Sequence, residues 1–199
     1  MTASGQIVAL CRARPMPLQR GGQTVDSGIF KQPALGPVTV GRLGLAGDHV
    51  ADARHHGGPD QAVYLYSQAD YAWWEEQLGR PLAPGSFGEN LTLDAWWPDG
   101  PRLGDRIQVG AVVLELCGAR IPCGTLAARM DDPRFVKRFA AARRPGAYAR
   151  VLVAGRAQAG DRWELLPRPA DRLQPQPTVL DPFDQWYITP HDADQLRRL

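Results

Sequence analysis

At 199 residues, with 44% hydrophobic side chains, the chain has the size of one domain and enough apolar content for a core. A net charge of +2 points to neither nucleic acid nor a membrane surface, and no run approaches the roughly 18 apolar residues of a membrane span. Three cysteines behind an opening stretch with no basic, apolar leader predict a reducing cytoplasm and free thiols, while 21 Gly and 18 Pro, spread along the chain, predict a turn-rich β fold.

Residues 6–11 form a short apolar run and predict the first strand, with Cys11 inside it as a core residue. Residues 12–24 are polar and rich in Gly and Pro, which predicts a loop. A second strand is predicted at 25–31, ended by Gln32-Pro33, and a third at 37–40. Segment 44–60 has no usable period and packs Asp48, His49, Asp52, Arg54, His55 and His56 into nine positions. So polar a loop inside a globular domain is a candidate site.

A strand follows at 62–66. Ser67 then reads as a helix N-cap with Asp70 in the capping-box position, and Gly79 suits the helix end. Trp73-Trp74 within it reads as packing rather than a cofactor shelf. Residues 84–90 are a glycine-punctuated loop before a strand at 91–93. Gly104-Asp105 and Gly160-Asp161 each turn the chain into an alternating strand, at 103–109 and 159–165. Residues 111–117 predict a buried strand containing Cys117, and 148–153 another. Between them, Asp132-Pro133 opens a helix with Phe135, Val136 and Phe139 on one face. After Pro167 the composition turns to Pro, Gln, Asp and Arg, which predicts a tail with one short helix from Asp192 and no site.

About nine strands and two or three short α-helices, in an order that does not alternate βαβα, predict a mainly β fold. The expected architecture is a closed or partly closed β-barrel over 1–166, with a tail at 167–199. Three irregular polar segments, 48–60, 85–90 and 120–125, would meet at one mouth of such a barrel.

The third of these, Arg120-Ile121-Pro122-Cys123-Gly124-Thr125, lies between a predicted strand and the helix formers of 126–130. Cys123 is thereby placed at a helix start, where backbone N–H groups and the Arg120 charge favour the thiolate. Read alone, an inert buried thiol is the alternative. Cys11 and Cys117, within apolar strands, are expected to hold their protons more tightly. The spacing of 48–56 argues against zinc, because adjacent His55 and His56 point opposite ways on extended chain.

Several runs in this order resemble the MOSC domain, the domain at the C-terminus of molybdenum-cofactor sulfurases. They are Gly44-Leu45-Ala46-Gly47-Asp48, Arg54-His55-His56-Gly57-Gly58-Pro59-Asp60-Gln61-Ala62-Val63-Tyr64, Phe87-Gly88-Glu89-Asn90-Leu91, Gly104-Asp105 and Arg120-Ile121-Pro122-Cys123. The resemblance is to the stand-alone bacterial YiiM-like branch and covers 7–166. It implies a PK-type β-barrel, a bound molybdenum cofactor (molybdopterin), and Cys123 as the thiolate ligand to molybdenum. It further implies reduction of N-hydroxylated compounds. The alternative is a non-enzymatic persulfide carrier or cofactor-binding protein using Cys123. A family-level association with pyridoxal phosphate binding accompanies the resemblance.

On this reading Lys31, Arg54 and Arg120 are available to the pterin's phosphate, and His56, Gly57, Gly58 and Asn90 to the pterin edge. Glu89 either accepts from the pterin or moves protons. With no iron–sulfur, flavin or nicotinamide fingerprint in the chain, electrons would come from an external electron-donor protein, and a homodimer is compatible. The chain departs from the YiiM-like pattern at its end, where 167–199 is too short and Pro-rich for the usual three-helix segment.

Overall fold

The computed structural model of the chain describes residues 3–52, 56–168 and 176–188, with side chains described as far as Gln185. In chain order, the described elements are β1 (Ser4–Arg12), β2 (Met16–Arg20), β3 (Gln23–Ser27), β4 (Gln32–Pro33), β5 (Val38–Gly41) and β6 (Gly44–Leu45). A 3-10 turn (Pro59–Gln61), β7 (Val63–Ser67), α1 (Gln68–Leu78), β8 (Leu91–Leu93), β9 (Arg106–Val109) and β10 (Val112–Gly118) follow. Then come α2 (Gly124–Met130), α3 (Phe135–Ala142), β11 (Ala147–Val153), β12 (Gly155–Ala157), β13 (Arg162–Leu165) and α4 (Leu180–Ile188).

Seven strands close into a barrel in the order β13-β9-β10-β11-β7-β8-β1, with β1 returning antiparallel to β13. Closure removes the unpaired edges that an open sheet would leave. Only β7 and β8 are parallel, joined by the crossover that α1 provides. β7 is buried along its whole length. Val63 and Leu65 face the barrel core with Ile7, Leu93 and Ile107, whereas Tyr64 and Tyr66 face a second core beneath the helices. There Trp74 stacks on Phe139 at 5.9 Å and donates its indole N–H to the Tyr66 hydroxyl at 2.8 Å. Burying each of these aromatic rings contributes on the order of 2–3 kcal/mol.

Local signals in the sequence hold where a side chain makes its own turn. The Ser67 hydroxyl caps α1 by accepting from the Asp70 amide at 3.1 Å, and Gly79 ends the helix in the left-handed region. Cys123 is the N-cap of α2, and its carbonyl accepts from Leu126 at 3.0 Å.

Elsewhere the structure corrects the sequence reading. The expected loop at 12–24 contains most of the hairpin β2–β3, turned by Gly21 and Gly22 at positive φ. Its strands pair with each other alone and bury little beyond Leu18, so they lack the apolar alternation that marks a strand. The expected strand at 25–31 stops at Ser27, and the chain then bends into the site. β12, three residues long, pairs with β5 and escapes any pattern search. The tail contributes α4 at 180–188, with Val179 and Phe183 buried, where a Pro-rich linker was expected. Pro182 is tolerated because it falls in the helix's first turn. The helix expected from Asp192 lies outside the described residues. No described helix is long and apolar enough to cross a membrane.

Candidate functional site

A cavity of about 270 Å³ opens where the hairpin, the 43–52 segment, the 85–90 loop and the start of α2 converge. Its walls are set first by backbone. At Gly28 a Cβ would fall 1.8 Å from the His49 carbonyl oxygen, so only glycine lets the two segments meet. At Gly88, with φ +75°, a Cβ would crowd Ile29 at 3.2 Å and the Arg120 guanidinium at 3.3 Å.

Glu89 builds the 85–90 loop. Its carboxylate is fully buried and accepts from the Tyr71 hydroxyl (2.6 Å), the Gly85 amide (2.6 Å), the Thr92 hydroxyl (3.0 Å) and the Phe87 amide (3.2 Å). A buried carboxylate needs this many donors to stand in for water. Glu89 therefore lies behind the cavity wall, and its loop presents the Phe87 carbonyl and Asn90 to the site.

Asn90 ties three elements together. Its Oδ1 accepts from the Tyr64 amide at 3.1 Å, and its Nδ2 donates to the Cys11 carbonyl at 3.2 Å and to Asp48 at 2.8 Å. Asp48 also accepts from the Ala13 amide at 2.7 Å and pairs closely with the Lys31 ammonium. Both members of that ion pair are more than nine-tenths buried in side-chain area. Burial lowers the Lys31 pKa while Asp48 raises it, and burial prevails. Lys31 thus reaches the cavity already neutralised by a carboxylate.

Arg120 is the opposite case. It is 5% exposed, lines the cavity and has no carboxylate partner among the described residues. Its Nη1 donates to the Phe87 carbonyl, and its guanidinium lies 5.0 Å from the Tyr64 ring centroid. Its Nε is buried without a hydrogen-bond partner among the described residues. A buried charge without a counter-ion marks a place built for an anion.

Cys123 supplies part of that anion. Burial alone would raise its pKa, but a hydrogen bond from the His56 side chain, the Arg120 charge and the His56 charge bring it down from 9.0 to about 6. The His56 amide bonds back to the Asp52 carbonyl at 2.9 Å, which fixes the residue beside the cavity. The other thiols go the other way. Burial pushes Cys11 up to about 12, and burial also raises Cys117, against the pull of Arg150, whose Nε lies 3.1 Å from its sulfur. Tyr148 shares the wall, and burial first, with the Cys123 charge, raises its phenol pKa although Arg120 opposes.

The structure gathers Lys31, His56, Asn90, Arg120 and Cys123 on one cavity. Gly57 and Gly58 follow His56 in the chain without lining it, and Arg54 lies outside the described residues. Sequence reasoning passed over Tyr64, Tyr148, Arg20 and Thr125 as site residues, and it did not foresee that Asp48 neutralises Lys31. Arg20 comes from the hairpin tip and donates to the Thr125 hydroxyl at 2.9 Å. Its one sequence signal was charge, and a loop assignment hid its reach. Among the described residues, no group of three His, Cys, Asp or Glu side chains is placed to hold a metal ion by itself.

Sequence and fold both find relatives among known proteins. The sequence profile of the MOSC domain matches residues 52–164. The chain is 36% identical over 162 residues to the uncharacterized protein YflK of Bacillus subtilis, covering 81% of this chain and 73% of YflK. It is 35% identical over 154 residues to a Gibberella moniliformis protein named a reductase, covering 74% of this chain but only 27% of that longer protein. The crystal structure of YiiM from Geobacillus stearothermophilus superposes with a TM-score of 0.72 at 28% identity, covering 98% of this chain and 90% of YiiM.

Proposed function

The chain belongs to the MOSC domain family, and on that premise we propose that it binds the molybdenum cofactor and reduces N-hydroxylated compounds, with Cys123 as the thiolate ligand to molybdenum. The observation that carries this reading is one cavity holding a buried guanidinium without a carboxylate, Arg120, beside a thiol ionised near neutrality, Cys123. A soft anionic sulfur is the donor that molybdenum favours, and an unpaired guanidinium suits a phosphate or other oxyanion. At about 270 Å³ the cavity lies near the lower end of the range for small-molecule sites. The reductase name of the Gibberella relative points in the same direction.

Each residue has a defined task on this reading. Cys123 would hold the metal through Sγ, and the His56 hydrogen bond favours the ionised form of that sulfur. Arg120 balances the negative charge brought into the cavity, and the Asn90–Asp48–Lys31 network keeps the cavity wall rigid. Tyr148, its phenol held protonated by burial, offers a hydrogen-bond donor on the same wall. When bound, the cofactor supplies the two-electron redox chemistry that no side chain of this chain provides. The overall change takes an N–OH group, two electrons and two protons to N–H and water.

Protein made in a host that synthesises the cofactor tests the proposal. Molybdenum and pterin are expected at about one per chain, with reduction of benzamidoxime by dithionite-reduced methyl viologen. Arg120→Ala is expected to lower molybdenum content at least about tenfold while the chain stays folded. Stoichiometric zinc without pterin, or a stable persulfide on Cys123 in protein devoid of molybdenum, refutes the reading.

A further inference from the structure

Apolar side chains exposed singly are ordinary on a protein surface and need no explanation. Two of them here border the site. Among the described residues seven large apolar side chains stand in solvent, and Leu43 and Val50 are the two that line the cavity of Arg120 and Cys123.

The fold requires neither side chain where it stands. Leu43 is 72% exposed in the two-residue turn between β5 and β6, where Gly41 pairs with Gly44. Its strand neighbours Val40 and Leu45 are in the core, and a turn position favours glycine or a small polar residue over leucine. The turn is held in place, because Gly44 packs its backbone against the Ala62 carbonyl oxygen, 2.6 Å from where a Cβ would stand. Val50, 40% exposed, follows His49, whose carbonyl is held against Gly28. Two segments, each fixed by a glycine contact, thus present an apolar side chain at the mouth of one cavity.

The lining changes character from inside to outside. Arg120, Lys31, Asn90 and Tyr64 are buried, and Cys123 is half-buried. The exposed lining residues are Leu43, Val50, Ala51, Arg20, Asp26 and Asp52. A compound entering from solvent passes this second set before it meets the first. Three of the set are apolar, and the other three hold two carboxylates against one guanidinium, so the rim does not favour an anion. Arg120, deep in the cavity, does.

We propose that Leu43 and Val50 determine substrate choice: the cavity takes N-hydroxylated compounds whose remaining part is an uncharged aryl group, and that group lies against the Leu43–Val50 lip with the N–OH group innermost. The proposal rests on the reductase reading above. Contact at the lip takes apolar surface of both partners out of water, and it acts on binding rather than on the bond that breaks. Its mark is a higher KM with kcat little changed when the lip is made polar.

The probes are benzamidoxime and acetamidoxime, which share the reacting group and differ in phenyl against methyl, with 4-carboxybenzamidoxime as the charged counterpart. With reduced methyl viologen as donor, kcat/KM of the loaded protein is expected to be at least about tenfold higher for benzamidoxime than for either of the others. Leu43→Asn with Val50→Asn is expected to shrink the ratio of benzamidoxime to acetamidoxime at least about fivefold, through the KM for benzamidoxime. Leu43→Met with Val50→Ile is expected to keep it within about twofold. Calorimetry of the oxidised protein, as purified, reads the same preference without turnover, with the Kd for benzamidoxime at least about fivefold weaker in the Asn variant. An unchanged ratio, a preference for the carboxylated compound, or molybdenum content that falls with the Asn substitutions overturns the assignment, the last because it sets the lip against the cofactor. Loaded natural protein that turns over neither amidoxime refutes the reductase reading, whereas the calorimetric preference between the two compounds scores the lip in either case.

Discussion

Replacing His56 with Ala is expected to move the ionisation of Cys123 upward without moving that of Cys11 or Cys117. His56 lowers the Cys123 pKa both through a hydrogen bond to the sulfur and through charge; without it, the Arg120 charge and the backbone hydrogen bond from Leu126 are left to oppose burial. With a midpoint near 6, about nine-tenths of the thiol is ionised at pH 7; a rise of about two pH units leaves about one-tenth. The remaining thiolate is more nucleophilic, however, by about eightfold for that rise. The two effects nearly cancel at neutral pH, so one rate at pH 7 says nothing, and the profile must be followed. Alkylation of cofactor-free protein by iodoacetamide, resolved by peptide mass spectrometry, gives it for each cysteine. The natural protein is expected to level off above about pH 7, whereas the variant keeps rising to about pH 9 and ends several-fold faster. Stability carries the same sign. A thiol whose folded value lies below its ordinary 9.0 contributes stability that is fully present above that value and is lost as pH falls through about 6. The natural protein therefore gains stability between pH 6 and 9, and His56→Ala removes most of that gain. A midpoint near 9 in the natural protein, or one that His56→Ala does not move, refutes this account of the thiolate.

Two further substitutions probe the frame around the cavity. Asp48→Asn strands the buried Lys31 ammonium and is expected to cost about 3–5 kcal/mol in urea denaturation, with Lys31→Met in the same chain restoring part of it. Glu89→Gln puts an amide donor against donors already aimed at the carboxylate and is expected to cost about 2–3 kcal/mol, read as a lower Tm with the 85–90 loop less protected in hydrogen exchange.

The sequence disclosed features that a residue makes with its near neighbours. Ser67, Asp70 and Gly79 bracket α1 because capping is a matter of three or four residues. Pro122 and the helix formers after it place Cys123 at the head of α2 for the same reason. Barrel closure was legible as a class, from many short strands out of βαβ order, but not as a pairing list. The hairpin β2–β3 stayed hidden because its strands bury little apolar surface beyond Leu18 and part of Val25, too little for a period-two signal. In the site, residue types suggested an anion pocket, yet nothing local distinguishes Lys31 from Arg120. Their difference comes from Asp48, a residue 17 positions from Lys31 that meets it only in the fold. Glu89 likewise reads as available chemistry until its donors, gathered from Tyr71, Gly85, Phe87 and Thr92, are seen around it.

The seam between β1 and β13 has a consequence for how the protein is made. Gln6 lies opposite Arg162, so the ring is sealed across about 156 residues of chain. Joining ends that far apart costs about 4.5 kcal/mol in loop-closure entropy, and the join waits until the far strand has left the ribosome. Until then β1 has an open edge, and Cys11 near its end and Ala13 just past it are the anchors that hold Asn90 and Asp48 in place. The cavity therefore matures with the last strand rather than with the loops that line it. A chain halted before residue 162 would contain every residue of the cavity and still lack the ring that holds their anchors, which places the ordering of the cavity after β13 has emerged.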